Sequence, residues 1–273
     1  MTGAEALRDA VARLEAAGVD GAARDAHILI LHAAGKSRHH LPDLLSAPLD
    51  PECAARFADA VNRRAERQPV SQIIGRRAFW KHDFEVTPDT LDPRAETELL
   101  VELALTAPFT SVLDMGTGTG AILLSLLADR PGARGIGTDI SGAALEVAKR
   151  NADRLRVHAE FRLSDWYEAV PERFDLIVSN PPYIALTEMA DLSPEVREWE
   201  PRGALTDEAD GLSAYRKIAA GALAHLYPGG RIAVEIGHLQ GADVAAIFQN
   251  AGLNQITTHR DLGGRDRVIL AQK

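Results

Sequence analysis

Val112-Leu113-Asp114-Met115-Gly116-Thr117-Gly118-Thr119-Gly120 joins an apolar run to three alternate glycines, and the apolar stretch from Ala121 to Ala128 follows at once. This order predicts a buried strand, a tight turn and a helix. Glycines in the turn permit left-handed dihedrals and let a ligand approach the main chain, since no Cβ intervenes. Gly116, Gly118 and Ala121 also fit the dinucleotide pattern G-x-G-x-x-G/A, so the loop alone leaves a nicotinamide site open.

Working outward, the pattern alternates. Strands are expected at 111–115, 134–140, 159–163, 174–178 and 231–236, with two more near Ile256 and Val268. Helices are expected at 121–130, 142–152, 212–226 and 241–251. Such alternation indicates an α/β domain with a mainly parallel sheet covered on both faces. Upstream, residues 4–67 read as helical, with Gly18 and Gly35 as stops and Pro51 at a first-turn position. Phe79, Trp80, Phe84 and Val86 around Lys81-His82-Asp83 predict a β-hairpin turning at those three polar residues, and Pro93 precedes an amphipathic helix rich in early acids. The expected division is a helical domain over 1–72, a hairpin linker over 73–92 and an α/β domain over 93–273.

The carboxyl ends of the strands carry the chemistry. Asp114 stands directly before the glycines, where a carboxylate suits an ammonium group better than a pyrophosphate. Asp139 ends the next strand about 20 residues on, the place from which a carboxylate accepts bonds from ribose hydroxyls. The alternative for Asp139 is a helix cap, which Ser141 can supply instead. Ser164-Asp165-Trp166 follows the third strand, so Asp165 can accept a bond from an adenine amino group and Trp166 can border the ring. No hydride-transfer residues accompany the loop. Together these favour S-adenosylmethionine, bound through Asp114, Gly116, Thr117, Gly118, Thr119, Gly120, Asp139, Asp165, Trp166 and Asn180.

Ser179-Asn180-Pro181-Pro182-Tyr183 ends the fourth strand. Methyl transfer needs a nucleophile aligned behind the methyl group, with water kept away. An amide nitrogen is a poor nucleophile, because its lone pair is delocalised into the carbonyl. Two acceptors gripping its two hydrogens orient it and enrich it in electron density. Asn180 offers a side-chain oxygen, and the Pro181 carbonyl offers the second. The prolines stiffen the loop without adding N–H donors. Tyr183 supplies a ring to lie against a flat acceptor. The expected catalytic residues are Asn180, Pro181 and Tyr183, with Pro182 joining them in holding the substrate.

Composition narrows the setting. The 273-residue chain carries a formal charge of -9 and a single cysteine, Cys53, so an intrachain disulfide is excluded and a reducing cytoplasm is expected. Met1 to Ala17 lacks the basic-then-apolar order of a signal peptide. Met1–Val70 holds 9 Lys plus Arg against 10 Asp plus Glu, and the remainder 21 against 29, so the acidic excess lies in the α/β part. That argues against gripping a long nucleic acid by its phosphates. His27, His32, His39 and His40 have no Cys or carboxylate at metal-site spacing, and no metal is expected.

These motifs resemble the class I methyltransferases that modify planar NH2 groups, and among them the protein-glutamine methyltransferases of peptide chain release factors (the HemK/PrmC type). The resemblance runs from Pro69-Val70, Gly75 and Phe79-Trp80 through Pro93-Arg94 and Glu96-Thr97-Glu98. It continues to Glu200-Pro201, Asp210-Gly211-Leu212 and Asp261 to Val268. It implies a Rossmann-like domain with a seven-stranded sheet and a substrate-docking helical domain. It also implies methylation of the amide nitrogen of the glutamine in a Gly-Gly-Gln loop, which enters between Asn180 and Tyr183. Leu91 and Arg94 would lie beside the methionine end of the cofactor. Two positions depart from the family pattern, Asp92 standing for an isoleucine and Ala95 for a second proline. The rival readings are a methyltransferase acting on an adenine or guanine amino group, with Tyr183 stacked on a flipped base, a non-catalytic binding module, and a nicotinamide dehydrogenase.

Overall fold

The computed structural model describes residues 1–273, which form two compact units: Met1–Gly75 with Ser193–Trp199, and Arg76–Leu192 with Glu200–Lys273. The first contains α1 (Gly3–Ala16), α2 (Ala22–Ala34), α3 (Leu41–Ser46), α4 (Pro51–Ala65) and α5 (Val70–Ile74). Thr2 and Glu5 close a capping box on α1, with Thr2 N–H donating to Glu5 Oε2 at 2.8 Å. Asp50 caps α4 by accepting from the Cys53 N–H at 3.1 Å, and Pro51 sits in its first turn as expected. Leu14, Leu29, Ile30, Phe57, Val61 and Ile73 meet in one apolar core.

In the second unit, β1 (Arg76–Phe79) and β2 (His82–Glu85) form the hairpin, and α6 (Glu98–Leu105) follows a 3-10 turn over Ala95–Thr97. Next come β3 (Ser111–Met115), α7 (Ala121–Asp129), β4 (Arg134–Asp139), α8 (Gly142–Leu155), β5 (Glu160–Leu163) and β6 (Phe174–Ser179). Between β6 and the next long helix stands a short helix, α9 (Pro194–Trp199), which belongs to the first unit. The chain then returns through α10 (Ser213–His225), β7 (Leu226–Glu235), α11 (Gly241–Asn250), β8 (Asn254–Arg260) and β9 (Asp266–Gln272). One seven-stranded sheet has the order β5-β4-β3-β6-β7-β9-β8, with β9 alone running opposite to the other six strands.

Each sheet face has its own core. Leu100, Val101, Leu123 and Leu124 cover one face with Phe79 and Phe84; Tyr215, Ile218, Val244 and Phe248 cover the other. All five residues of β3 are buried, Ser111 and Asp114 included, as expected of a strand covered on both faces.

The hairpin turns earlier than Lys81-His82-Asp83. Phe79 pairs with His82 and Arg77 with Phe84, leaving Trp80-Lys81 as a two-residue turn. That register sends Phe79 and Phe84 to one buried face; a turn over 81–83 would separate them. Trp80 takes a left-handed φ of 53°, offset by its N–H on Glu98 (2.7 Å) and its indole N–H on Asp129 (2.9 Å). Strand β7 begins five residues before the expected Arg231, since Leu226 already pairs with Phe174.

Within the first unit, α9 is held by charge. Arg64 is 5% exposed and donates to Asp25 and Glu195, each at 2.9 Å, while Arg67 makes two 2.8 Å bonds to Glu195. Burial alone would raise the Glu195 carboxyl; the arginine bonds win and hold it at about 2. Asp25→Ala leaves Arg64 paired with Glu195 but with one buried N–H unsatisfied, and is expected to destabilise the helical unit by about 1–3 kcal/mol, seen as faster amide hydrogen exchange in α2 and α4. Unchanged exchange there would show that Arg64 does not depend on Asp25.

Candidate active site

Strands β3 and β6 are parallel neighbours, with Met115 opposite Ser179. Their carboxyl ends therefore deliver the glycine loop and the asparagine-diproline stretch side by side. The order also reverses between β3 and β6, where open α/β sheets leave a ligand crevice. A cavity of about 600 Å³ lies here, and it is walled by Thr97, Gly116–Thr119, Asp139, Asp165, Trp166, Asn180 and Pro182 among others.

The glycine loop is held from below. Gly116, Gly118 and Gly120 have φ of 69°, 55° and 79°. A Cβ on Gly116 or Gly118 would meet nothing within 4 Å, so the left-handed backbone demands glycine and the space above it stays free for a ligand. The Thr117 N–H donates to the Thr138 carbonyl at 2.9 Å, and the Gly118 N–H to Asp139 Oδ2 at 2.9 Å. Asp139 Oδ1 accepts from the Ser141 N–H at 2.9 Å. Ser141 Oγ caps α8 by accepting from the Ala144 N–H, so Asp139 is not needed as the cap. Each Asp139 oxygen retains a lone pair for a further donor.

Asp114, Gly120, Pro181 and Tyr183 are placed differently from the other expected site residues, since none of the four lines the cavity. Asp114 lies fully buried beneath the loop, where its Oδ2 accepts from the Thr117 hydroxyl at 2.7 Å and its Oδ1 completes no hydrogen bond. Burial pushes this carboxyl up to about 7; the Thr117 hydroxyl and the Leu123 N–H offset only part of that.

At the far end, Asp165 pairs with Lys217 at 3.5 Å, and Trp166 holds a left-handed φ of 52°. Ser164 braces this turn by donating to the Trp166 carbonyl and accepting from the Ala169 N–H, each at 3.0 Å. Ile140 is 74% exposed and lines the cavity beside Asp139, giving a flat ring an apolar surface.

The asparagine-diproline stretch is anchored by groups that the motif does not contain. Asn180 Nδ2 donates to Thr97 Oγ1 at 3.3 Å, and the Thr97 hydroxyl donates to Glu235 Oε2 at 2.5 Å. Tyr183 donates to Glu235 Oε1 at 3.3 Å. Burial raises the Glu235 carboxyl, and burial together with the Glu235 charge raises the Tyr183 phenol, which stays neutral and donates. Gln240 Nε2 donates to the carbonyls of Tyr183 (2.9 Å) and Gly211 (3.2 Å). Gly211 has φ of 75°, and a Cβ there would lie 2.4 Å from the Tyr183 carbonyl oxygen, so only glycine leaves the loop in place. Neither Glu235 nor Thr97 was legible as a site residue. The first ends a strand far along the chain, and the second sits inside a motif read only as family resemblance.

The two departures also lie here. Asp92 is buried in the cavity wall, 3.9 Å from Arg77, and Ala95 starts the 3-10 turn. Arg94 donates to both oxygens of Glu200 at 2.7 and 2.6 Å. Burial pushes Glu200 up to about 7, with Arg94 pulling it down and the Asp92 charge pushing it further up.

The site thus has acidic walls, open space above a glycine loop, carboxylate lone pairs and an oriented amide. Those features fit S-adenosylmethionine, which carries a sulfonium and an ammonium, better than a pyrophosphate. The fold and site define a methyltransferase. A family model described as Methyltransferase small domain matches residues 88–193, and one described as PrmC N-terminal domain matches residues 5–75. The chain is 58% identical over 278 residues to a release factor glutamine methyltransferase of Cereibacter sphaeroides, covering 100% of this chain and 99% of that protein. It is 44% identical over 268 residues to one of Caulobacter vibrioides, covering 96% and 93%. A methyltransferase crystal structure from Pyrococcus furiosus shares the fold at 18% identity and a TM-score of 0.56, covering 78% of this chain and 98% of that one. The chain belongs to the release factor glutamine methyltransferase family.

Asp114 makes this unit sensitive to pH. Its folded pKa of about 7 lies above the ordinary 3.8, so the folded chain holds the proton more tightly, and stability falls as pH rises through this window. Asp114→Asn keeps the Thr117 contact without a charge. Its stability advantage over the parent is expected to open between about pH 4 and pH 7 in denaturant titrations. A pH-independent difference would mean that Asp114 is not buried as an acid.

Proposed function

We propose that this chain transfers a methyl group from S-adenosylmethionine to the side-chain amide nitrogen of the glutamine in the Gly-Gly-Gln loop of peptide chain release factors, in the cytoplasm. No helix of the chain is long and apolar enough to cross a membrane. The observation that carries the chemistry is the Asn180 amide. Its nitrogen is engaged by Thr97, which leaves its oxygen for a donor in the cavity.

In this reading Asp139 accepts from the ribose hydroxyls, with both oxygens already oriented by Gly118 and Ser141. Asp165 takes the adenine amino group, Trp166 and Ile140 border the ring, and Asp114 braces the loop from beneath through the Thr117 hydroxyl. Leu91 and Arg94 border the methionine end. When bound, S-adenosylmethionine supplies an electrophilic methyl group on a sulfonium.

Asn180 Oδ1 and the Pro181 carbonyl accept the two N–H bonds of the substrate amide, aim its nitrogen at the methyl carbon and enrich it in electron density. Bound in this way, the cofactor would give its methyl group to the aligned nitrogen, which would then release one proton to solvent. Pro182 and Tyr183 hold the entering glutamine. The helical segment over 1–72 docks the release factor, the segment over 73–92 is a linker, and the segment over 93–273 performs the transfer.

Incubation with labelled cofactor and a purified release factor is expected to label one glutamine. Label that survives Gln→Ala in the Gly-Gly-Gln loop, or that enters RNA or DNA instead, would overturn the assignment. Asn180→Ala is expected to lower turnover by about 10²–10³, the scale of losing one oriented polar group, with cofactor affinity retained. Loss of cofactor binding alone would reassign Asn180 to the cofactor.

A further inference from the structure

The hydrogen-bond chain behind Asn180 has a direction. The Thr97 hydroxyl donates its single proton to Glu235 Oε2 at 2.5 Å. What Thr97 then presents to Asn180 is a lone pair, and only the NH2 end of the asparagine amide can meet it. Burial raises the Glu235 carboxyl, and the Thr97 hydroxyl, the Arg267 charge and the Tyr183 hydroxyl offset part of that. Thr97 and Glu235 are 4% and 1% exposed, so the bond between them is shielded from water.

We propose that Glu235, acting through the Thr97 hydroxyl, fixes which end of the Asn180 amide faces the cavity, and so makes the site select an NH2 group over an oxygen of the same shape. Glu235 and Thr97 are positioning residues. Asn180 turned the other way would aim N–H donors at the substrate, repel an incoming NH2 group and accept a carboxylate. The inference rests on the proposed methylation of a glutamine amide. It adds that discrimination between glutamine and glutamate is set by a carboxylate that touches neither substrate nor cofactor.

The test compares a Gly-Gly-Gln peptide with its Gly-Gly-Glu counterpart, as substrate and as competitor, on the full chain loaded with S-adenosylmethionine. Thr97→Val keeps the shape but removes both bonds, and Asn180 becomes free to turn. The preference for the glutamine peptide is expected to shrink by about tenfold or more, the scale of one misdirected hydrogen bond. Turnover should fall while cofactor affinity holds. Thr97→Ser, which restores a hydroxyl, should restore the preference. Glu235→Leu frees the Thr97 proton to turn toward Asn180 and should shift the preference the same way, and the double variant should shift it no further than either alone.

Thr97→Val that loses turnover but keeps the full preference would overturn the proposal, as would additive shifts in the double variant. Failure of the underlying reading looks different. The parent chain would then methylate no release-factor glutamine and show no preference between the peptides. If Glu235→Leu does not fold, the Thr97→Val and Thr97→Ser pair decides the matter.

Discussion

Parallel pairing of β3 with β6 is the constraint on which the site depends. Met115 and Ser179 stand opposite one another, and the Ser179 hydroxyl donates to the Met115 carbonyl at 2.7 Å, tying the two strand ends together. A loop that can cradle a cofactor leaves one of these ends, and a rigid loop that can present an amide leaves the other. Neither loop does the chemistry alone. Sliding the register by one residue would turn every side chain of β6 to the opposite face. Asn180 would then start from the wrong place relative to the glycines.

The same arrangement concentrates burial on acids. Asp114, Asp139, Glu200 and Glu235 are all pushed above their ordinary carboxyl values, chiefly because they have been taken out of water. Fold stability alone would favour apolar residues at such positions, since burying a charge costs several kcal/mol. Their retention around one cavity is understood through what each is set to do. Asp139 is oriented by two main-chain N–H groups, Glu200 holds Arg94, and Glu235 holds Thr97 and Tyr183.

The parallel sheet, the glycine turn and the asparagine-diproline loop were legible in the sequence because each rests on local rules. Those rules are apolar runs of strand length, glycines where φ must be positive, and prolines that forbid competing N–H donors. Asp139 was legible for the same reason, lying a fixed distance after the loop. Long-range partners were not legible. Glu235 ends β7 beside β6, and the turn before α6 brings Thr97 against it; nothing in the local spacing of either residue announces that meeting. The hairpin turn was misplaced because polarity was weighed above facing: Phe79 and Phe84 must share a buried side, and this decides the register even though Trp80 must then adopt a left-handed conformation. The expected exposure of Asp114 to a ligand ammonium failed on the same kind of ground. A side chain's depth follows from strand pairing on both sides, and β3 is covered by β4 and β6.

The most direct test is a crystal structure of the chain with S-adenosylhomocysteine and a Gly-Gly-Gln peptide. The glutamine amide nitrogen should lie about 3 Å from both Asn180 Oδ1 and the Pro181 carbonyl oxygen, and it should point toward the sulfur. A glutamine amide oxygen turned to Asn180, or a glutamine seated away from the asparagine-diproline loop, would contradict the account.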